Sequence, residues 1–332
     1  MGVFSRSAAL RVQAEQTVLQ PGDFVTGVVT LTVHKEIEAH ELLITLEGKE
    51  HLKWETSSGD STSTHHKHHE LFVFPVHYEV PSTLQPGESS HPFSFQLPQG
   101  IPASFEYTSW RVGFMEKVKV HTEYRIKAKL VRKGMLTMDV KEKLALVVKP
   151  GVETLATTPH AKPVAASSSQ VVRMMGLFKR GQCHVRMDMR SDVISLGTEV
   201  KLTAFVDNES KQKIKDLRII LYEDVVVDRE HNNDKGVEKQ SQRVIKQHLD
   251  AELVNEIVNG KPIALALPIQ SEKEEVLPSM SSYFIRSLNY RIAVEVSLSV
   301  SPRVKVDVPV RLLSKEYVNV FASSPVKLQC LA

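Results

Sequence analysis

Residues 19–46 read LQPGDFVTGVVTLTVHKEIEAHELLITL. Pro21-Gly22 predicts a tight turn, because proline presets φ and glycine accepts positive φ. Val25, Val29, Leu31 and Val33 then fall along one strand, mostly at period two, and Leu42, Ile44 and Leu46 along the next. A near copy follows at residues 194–223, ISLGTEVKLTAFVDNESKQKIKDLRIILYE. Gly197 answers Gly22, Val200 answers Val25, and Leu217, Ile219 and Leu221 answer Leu42, Ile44 and Leu46. The offset is constant, 197 − 22 = 175 and 221 − 46 = 175. One hairpin repeated at domain distance predicts two copies of one β fold.

The repeat extends outward from this hairpin. Leu97-Pro98 answers Leu267-Pro268, Tyr124-Arg125-Ile126 answers Tyr290-Arg291-Ile292, and the strand at 143–148 answers 305–312. Further alternating stretches occur at 8–14, 71–76 and 118–130. Many short strands separated by Gly/Pro turns predict an all-β chain of two antiparallel, immunoglobulin-like β-sandwich domains in tandem. The expected division is a sandwich over 1–148, a Pro/Ala/Ser/Thr-rich linker over 149–180, a second sandwich over 181–314 and a short tail over 315–332. Polar stretches at 48–70 and 228–242 read as long exposed loops. Residues 244–258 fit helical spacing through Leu249, Leu253, Ile257 and Val258, and fit two short strands about as well; the repeat favours strands.

Bulk composition narrows the function. The chain has 332 residues, enough for two domains, with 42% hydrophobic residues to fill ordinary cores. A formal charge of +3 gives no reason to expect a nucleic-acid binder. Two cysteines, Cys183 and Cys330, cannot staple two domains and read as reduced thiols, Cys183 on an inward strand face. No apolar run approaches the ~20 residues that span a bilayer. Residues 1–10 lack the apolar core of a signal peptide, and Arg6 stands where myristoylation wants Ser or Thr. A cytosolic protein is expected, with peripheral contact at the plasma membrane or endosomes. No nucleophile elbow, zincin helix, P-loop or dinucleotide-binding motif occurs, so neither catalysis nor a cofactor is expected.

These residues resemble the arrestin superfamily, and within it the α-arrestins. In the N-terminal half the resemblance rests on the Pro21-Gly22 turn, the strand from Gly27 and the Leu42-x-Ile44-x-Leu46 strand leading to Trp54. It continues through Phe93-Ser94-Phe95-Gln96-Leu97-Pro98, Pro102-Ala103-Ser104-Phe105-Glu106 and the strand at Tyr124. In the C-terminal half it rests on the Gly197 turn, Val206-Asp207-Asn208-Glu209-Ser210 and the strand from Leu217 to Leu221. The span that holds an amphipathic helix in visual and β-arrestins contains Pro81, Pro86 and Gly87 here, and there is no Pro-Pro-x-Tyr motif. The resemblance implies an adaptor that binds cytoplasmic tails of membrane proteins and directs their sorting or endocytosis through a ubiquitin ligase or coat adaptors. A retromer-type arrestin-like cargo subunit is the alternative within the fold. An extracellular adhesion or lectin-like sandwich pair is the alternative from another class.

The candidate site residues cluster in two places. His65-His66-Lys67-His68-His69 puts four imidazoles in five residues. Such a run could chelate Zn²⁺, Ni²⁺ or Cu²⁺, but consecutive residues on a loose loop rarely set tetrahedral geometry, so a solvated tip is expected and no metal site. The resemblance places 54–69 where the arrestin finger loop inserts into receptors, making Lys53, Trp54 and this run the partner-contact candidates. Trp54 could be an exposed anchor or could pack at a sheet end. Trp110, with Phe105, Tyr107 and Phe114, reads as a cover over the open end of a sandwich. Arg6 and Arg11 flank the first strand, where the resemblance implies contacts to phosphorylated or acidic cargo; alternation alone also puts Arg11 on the wet face.

Overall fold

The computed structural model describes residues 7–314 apart from 135–137, 151–160, 175–177, 211, 231–235, 250, 256, 258, 271–275 and 300–302. Arg6, Cys330, the tail and much of the expected linker lie outside the described residues. The chain divides into two compact units, Met1–Thr157 and Thr158–Ala332.

The first unit begins with β1 (Ala8–Ala14), β2 (Val18–Leu19), β3 (Phe24–Val33), β4 (Ile37–Ser58) and β5 (Ser61–Glu79). It continues with β6 (Thr83–Leu84), β7 (Gly87–Gln96), β8 (Phe105–Val112), β9 (Met115–Arg132) and β10 (Val140–Val148). One sheet runs β1-β3-β7; the other runs β2-β10-β9-β4-β5, with β8 added to β9 and β6 to β4. The inward residues of the opening hairpin, Val25, Val29, Leu31, Leu42, Ile44 and Leu46, are all buried in one core. Gly22 sits at φ +89°, the left-handed turn that the Pro-Gly pair required.

The second unit repeats the plan. Its strands are β11 (Val164–Met174), β12 (Phe178–Met189), β13 (Val193–Ser195), β14 (Glu199–Asn208) and β15 (Ile214–Asp228). Then come β16 (Val237–His248), a short helix α1 (Ala251–Asn255), β17 (Pro262–Pro268), β18 (Ile285–Leu298) and β19 (Val304–Leu313). The sheet orders are β11-β12-β14-β17 and β13-β19-β18-β15-β16. With β11 set aside here, and β6 and β8 in the first unit, the strand orders are the same, including the short parallel pairing at one edge, β2 with β10 and β13 with β19. Register is preserved as well: Leu46 faces Ile126 as Leu221 faces Ile292, and Gly48 faces Tyr124 as Glu223 faces Tyr290. Gly197, like Gly22, adopts positive φ, +76°.

Four sequence expectations are corrected. The 48–70 stretch is not a loop: β4 and β5 pair continuously to Ser58↔Ser61 and close in a two-residue turn with Gly59 at φ +59°. Threonines and alternating polar residues suit a pleated surface, and β9 backs the hairpin as a third strand, so polarity does not prevent pairing. In the 228–242 stretch, Val237 onward belongs to β16, for the same reason. Within the expected linker, residues 164–174 form β11, hydrogen-bonded to β12. Its small side chains hide a period-two burial pattern. Part of 244–258 is the one-turn helix α1, whose Val254 is buried.

Tyr124 and Tyr290 show why the register matters. Each is fully buried, and each hydroxyl donates to a loop carbonyl, Pro102 O at 2.6 Å and Leu277 O at 2.8 Å. Gly48 makes room for the first ring: a Cβ there would lie 2.7 Å from both Tyr124 Cε1 and Phe72 Cε1. Gly48→Ala should therefore destabilise the first unit by about 1–3 kcal/mol, the usual cost of overpacking a filled core. Urea unfolding measures it; an unchanged midpoint would show that the two rings yield freely.

Candidate partner-binding surface

The long β4–β5 hairpin forms an arm with two distinct faces. On the core-side face Trp54 is buried, 5% exposed, with its ring stacked on His65 at 5.0 Å. His65 Nε2 also lies 2.9 Å from Thr56 Oγ1. The alternative of Trp54 as an exposed anchor is thereby corrected: the indole packs beside Leu52, on the side of the sheet that carries the core. The histidine run is likewise no loose tip. As strand residues its members alternate, His66 and His68 exposed, His65, Lys67 and His69 half-buried. Lys53 is exposed opposite His66.

A β-bulge decides which histidine faces where. Gly48 pairs with Phe72 but Lys49 pairs with Glu70, leaving Leu71 as the extra residue. Leu71 and Phe72 both serve the core, and every side chain beyond them changes face relative to strict alternation. The outcome is a row of imidazoles across the outer face, His68 opposite His51 on β4 and His51 opposite His121 on β9. Burial, the neighbouring His51 and Lys119 together hold the His121 imidazole below its ordinary value.

A second hairpin, β8–β9, runs alongside. Here Trp110 is 72% exposed and Phe114, near the turn at Gly113, is also exposed, while Tyr107 is buried. Trp110 therefore does not join the aromatic cover expected over a sandwich end. Trp54 thus takes the packed place at the sheet that sequence offered as one of its two readings, and Trp110 is the exposed one. Strand phase decides the exposure of each, Trp54 falling on the inward face of β4 and Trp110 on the outward face of β8.

Lower on the outer face lies a charged knot. Glu47 is 3% exposed and bonds Arg125, with Lys127 at 3.4 Å and Lys49 at 3.7 Å. Burial pushes its carboxyl up, but the Arg125 hydrogen bond and the three positive charges outweigh that and leave it below the ordinary value. Arg11 is exposed on the outer face of β1, opposite Thr30. Cys183 is buried, which pushes its thiol up to about 11, an inert state for a strand's inward side chain. The described residues contain no helix long and apolar enough to cross a membrane.

Paired sandwiches of matched strand order, each with a buried tyrosine tied to a loop carbonyl, define a tandem β-sandwich protein. The model of the arrestin (or S-antigen) N-terminal domain matches residues 9–150, and that of the arrestin (or S-antigen) C-terminal domain matches residues 179–317. The chain belongs to the arrestin superfamily. No individual curated protein matches it.

Two outcomes follow from this geometry. His65→Ala should cost about 1 kcal/mol through the lost ring contact, whereas His66→Ala should stay within about ±0.5 kcal/mol; denaturant unfolding of the two variants compares them. A carboxylate with a lowered folded pKa stabilises the fold above its unfolded value and loses that contribution as pH falls through the folded value. Glu47→Gln should thus cost about 2 kcal/mol at neutral pH, with the deficit closing as pH falls below 4.5, the ordinary value. A deficit that stays constant across that range would mean the charge contributes nothing.

Proposed function

We propose that this chain is a cytosolic, non-enzymatic adaptor that binds the cytoplasmic tails of membrane proteins and directs their sorting or endocytosis, in the manner of an α-arrestin. The observation that carries the reading is the pair of arrestin domains in tandem, covering residues 9–150 and 179–317. Fold alone does not fix function, so the contact surfaces must supply the rest.

Two features of the first unit suit that task. Trp110 and Phe114 offer exposed aromatic surface, the residue type that anchors protein interfaces. Strand β5 ends its sheet, and Val73 and Phe74 on it are each 40% exposed, so an extended tail can add there as a further strand. Lys53, His66 and His68 line the exposed side of the arm as additional contacts for acidic tails, and Arg11, with Arg6 ahead of it, would receive phosphate. Sorting machinery, a ubiquitin ligase or a coat adaptor, would be recruited elsewhere on the chain.

Proximity labelling in cells with the tagged full chain tests the reading. Membrane-protein tails and sorting components should be labelled, and Trp110→Ala should reduce their recovery several-fold, while its exposure keeps the stability change within about ±0.5 kcal/mol. Labelling that lacks membrane proteins altogether would overturn the adaptor reading. Unchanged recovery with Trp110→Ala would remove this tip as the anchor and leave the β5 edge.

A further inference from the structure

Three side chains from two strands meet on the outer face of the arm. His51 comes from β4, and His121 and Glu123 from β9. His51 and His121 are direct cross-strand partners, with rings stacked at 4.8 Å and 10° between planes. His51 Nε2 lies 3.1 Å from Glu123 Oε1. One nitrogen or oxygen from each residue lies within 4.8 Å of the others. His121 Nδ1 is buried and makes no hydrogen bond among the described residues, an arrangement that costs free energy unless something takes up the lone pair or proton.

We propose that His51, His121 and Glu123 form a binding site for one zinc-type divalent cation. Two imidazoles and a carboxylate make a donor set that suits Zn²⁺, which takes them tetrahedrally and leaves the fourth position to water. With metal–ligand distances of about 2.0–2.1 Å, tetrahedral donors sit roughly 3.3 Å apart. The His51–Glu123 pair is already near that spacing at 3.1 Å, and a His121 nitrogen lies within 4.8 Å of both. Arg125 Nη1 donates to the same Glu123 oxygen at 2.8 Å and so orients the carboxylate, as partners behind metal ligands do. The neighbouring positive charge of Lys119 is taken up by Glu106 at 2.8 Å. His68, its ring 6.3 Å from that of His51, stands next in the row.

The site is distinct from the histidine run that dominates the sequence. Within the run, alternation sends neighbouring rings to opposite faces, and only His68 comes near the three ligands. A cation bound here ties β4 to β9 at the root of the arm. Because it binds the folded chain alone, it raises the unfolding temperature. Calcium and magnesium, which take oxygen ligands, do not substitute.

Calorimetric titration of the chelator-treated full chain with zinc chloride, paired with thermal unfolding, tests the proposal. One zinc per chain and a raised midpoint are expected, with no shift in calcium chloride. His51→Gln, His121→Gln and Glu123→Gln should each weaken binding about tenfold or more, while their metal-free midpoints confirm that the variants fold. Replacing His65, His66, His68 and His69 by Ser should leave the site in place. Absence of binding by the natural chain, affinity unchanged in His51→Gln and His121→Gln, or loss only in the four-serine variant would each overturn it.

Discussion

The pairing of β4 with β9 is the constraint on which the first unit depends. Leu46 faces Ile126 and Gly48 faces Tyr124. Side-chain period in a strand is two, so a slip of one residue would put Arg125 into the core and Tyr124 into water. Several interactions fix the register at once. Gly48 leaves space for the Tyr124 ring, the Tyr124 hydroxyl reaches the Pro102 carbonyl, and Arg125 reaches Glu47 on the opposite face. The same register carried outward sets His51 against His121 on the arm, so the candidate metal ligands inherit their geometry from the core.

The second unit keeps the pleat and changes the polar chemistry. Tyr290 is buried like Tyr124, and Arg291 points outward like Arg125. Where the first unit has Glu47, the second has Tyr222. Arg291 lies over that ring at 5.1 Å and Lys305 at 4.0 Å, and Arg291 takes its ion pair from Asp224 at 2.6 Å, in the place of Lys49. Each unit thus holds an inward Tyr and Ile around an outward Arg, and meets the guanidinium with a different partner. A guanidinium accepts either arrangement, since it pairs with carboxylates and stacks on aromatic faces.

The two hairpins of the first unit divide labour in a way that follows from strand phase. Trp54 faces inward with Leu52 and closes against His65, whereas Trp110 on β8 faces solvent. Both positions lie beyond the main hydrophobic cluster, so neither is forced inward by the core itself. The surface left exposed combines the rings of Trp110 and Phe114, a sheet edge and a row of imidazoles.

Sequence by itself determined the fold class, the duplication and much of the core. Period-two apolar residues at Val25–Val33 and Leu42–Leu46, the Gly22 and Gly197 turns and the repeated Tyr-Arg-Ile triplets are local signals, and local sterics and burial are enough to read them. The polar arm was not legible as strands, because its composition carries little period-two apolar signal and the strand that backs it, β9, lies some seventy residues away. Nor could sequence locate the Leu71 bulge, which sets the phase of the histidine run, since one extra residue leaves no mark in a polar stretch. Only the tertiary structure buried Trp54, exposed Trp110 and brought His51 to His121 and Glu123, because these meetings depend on register between distant strands.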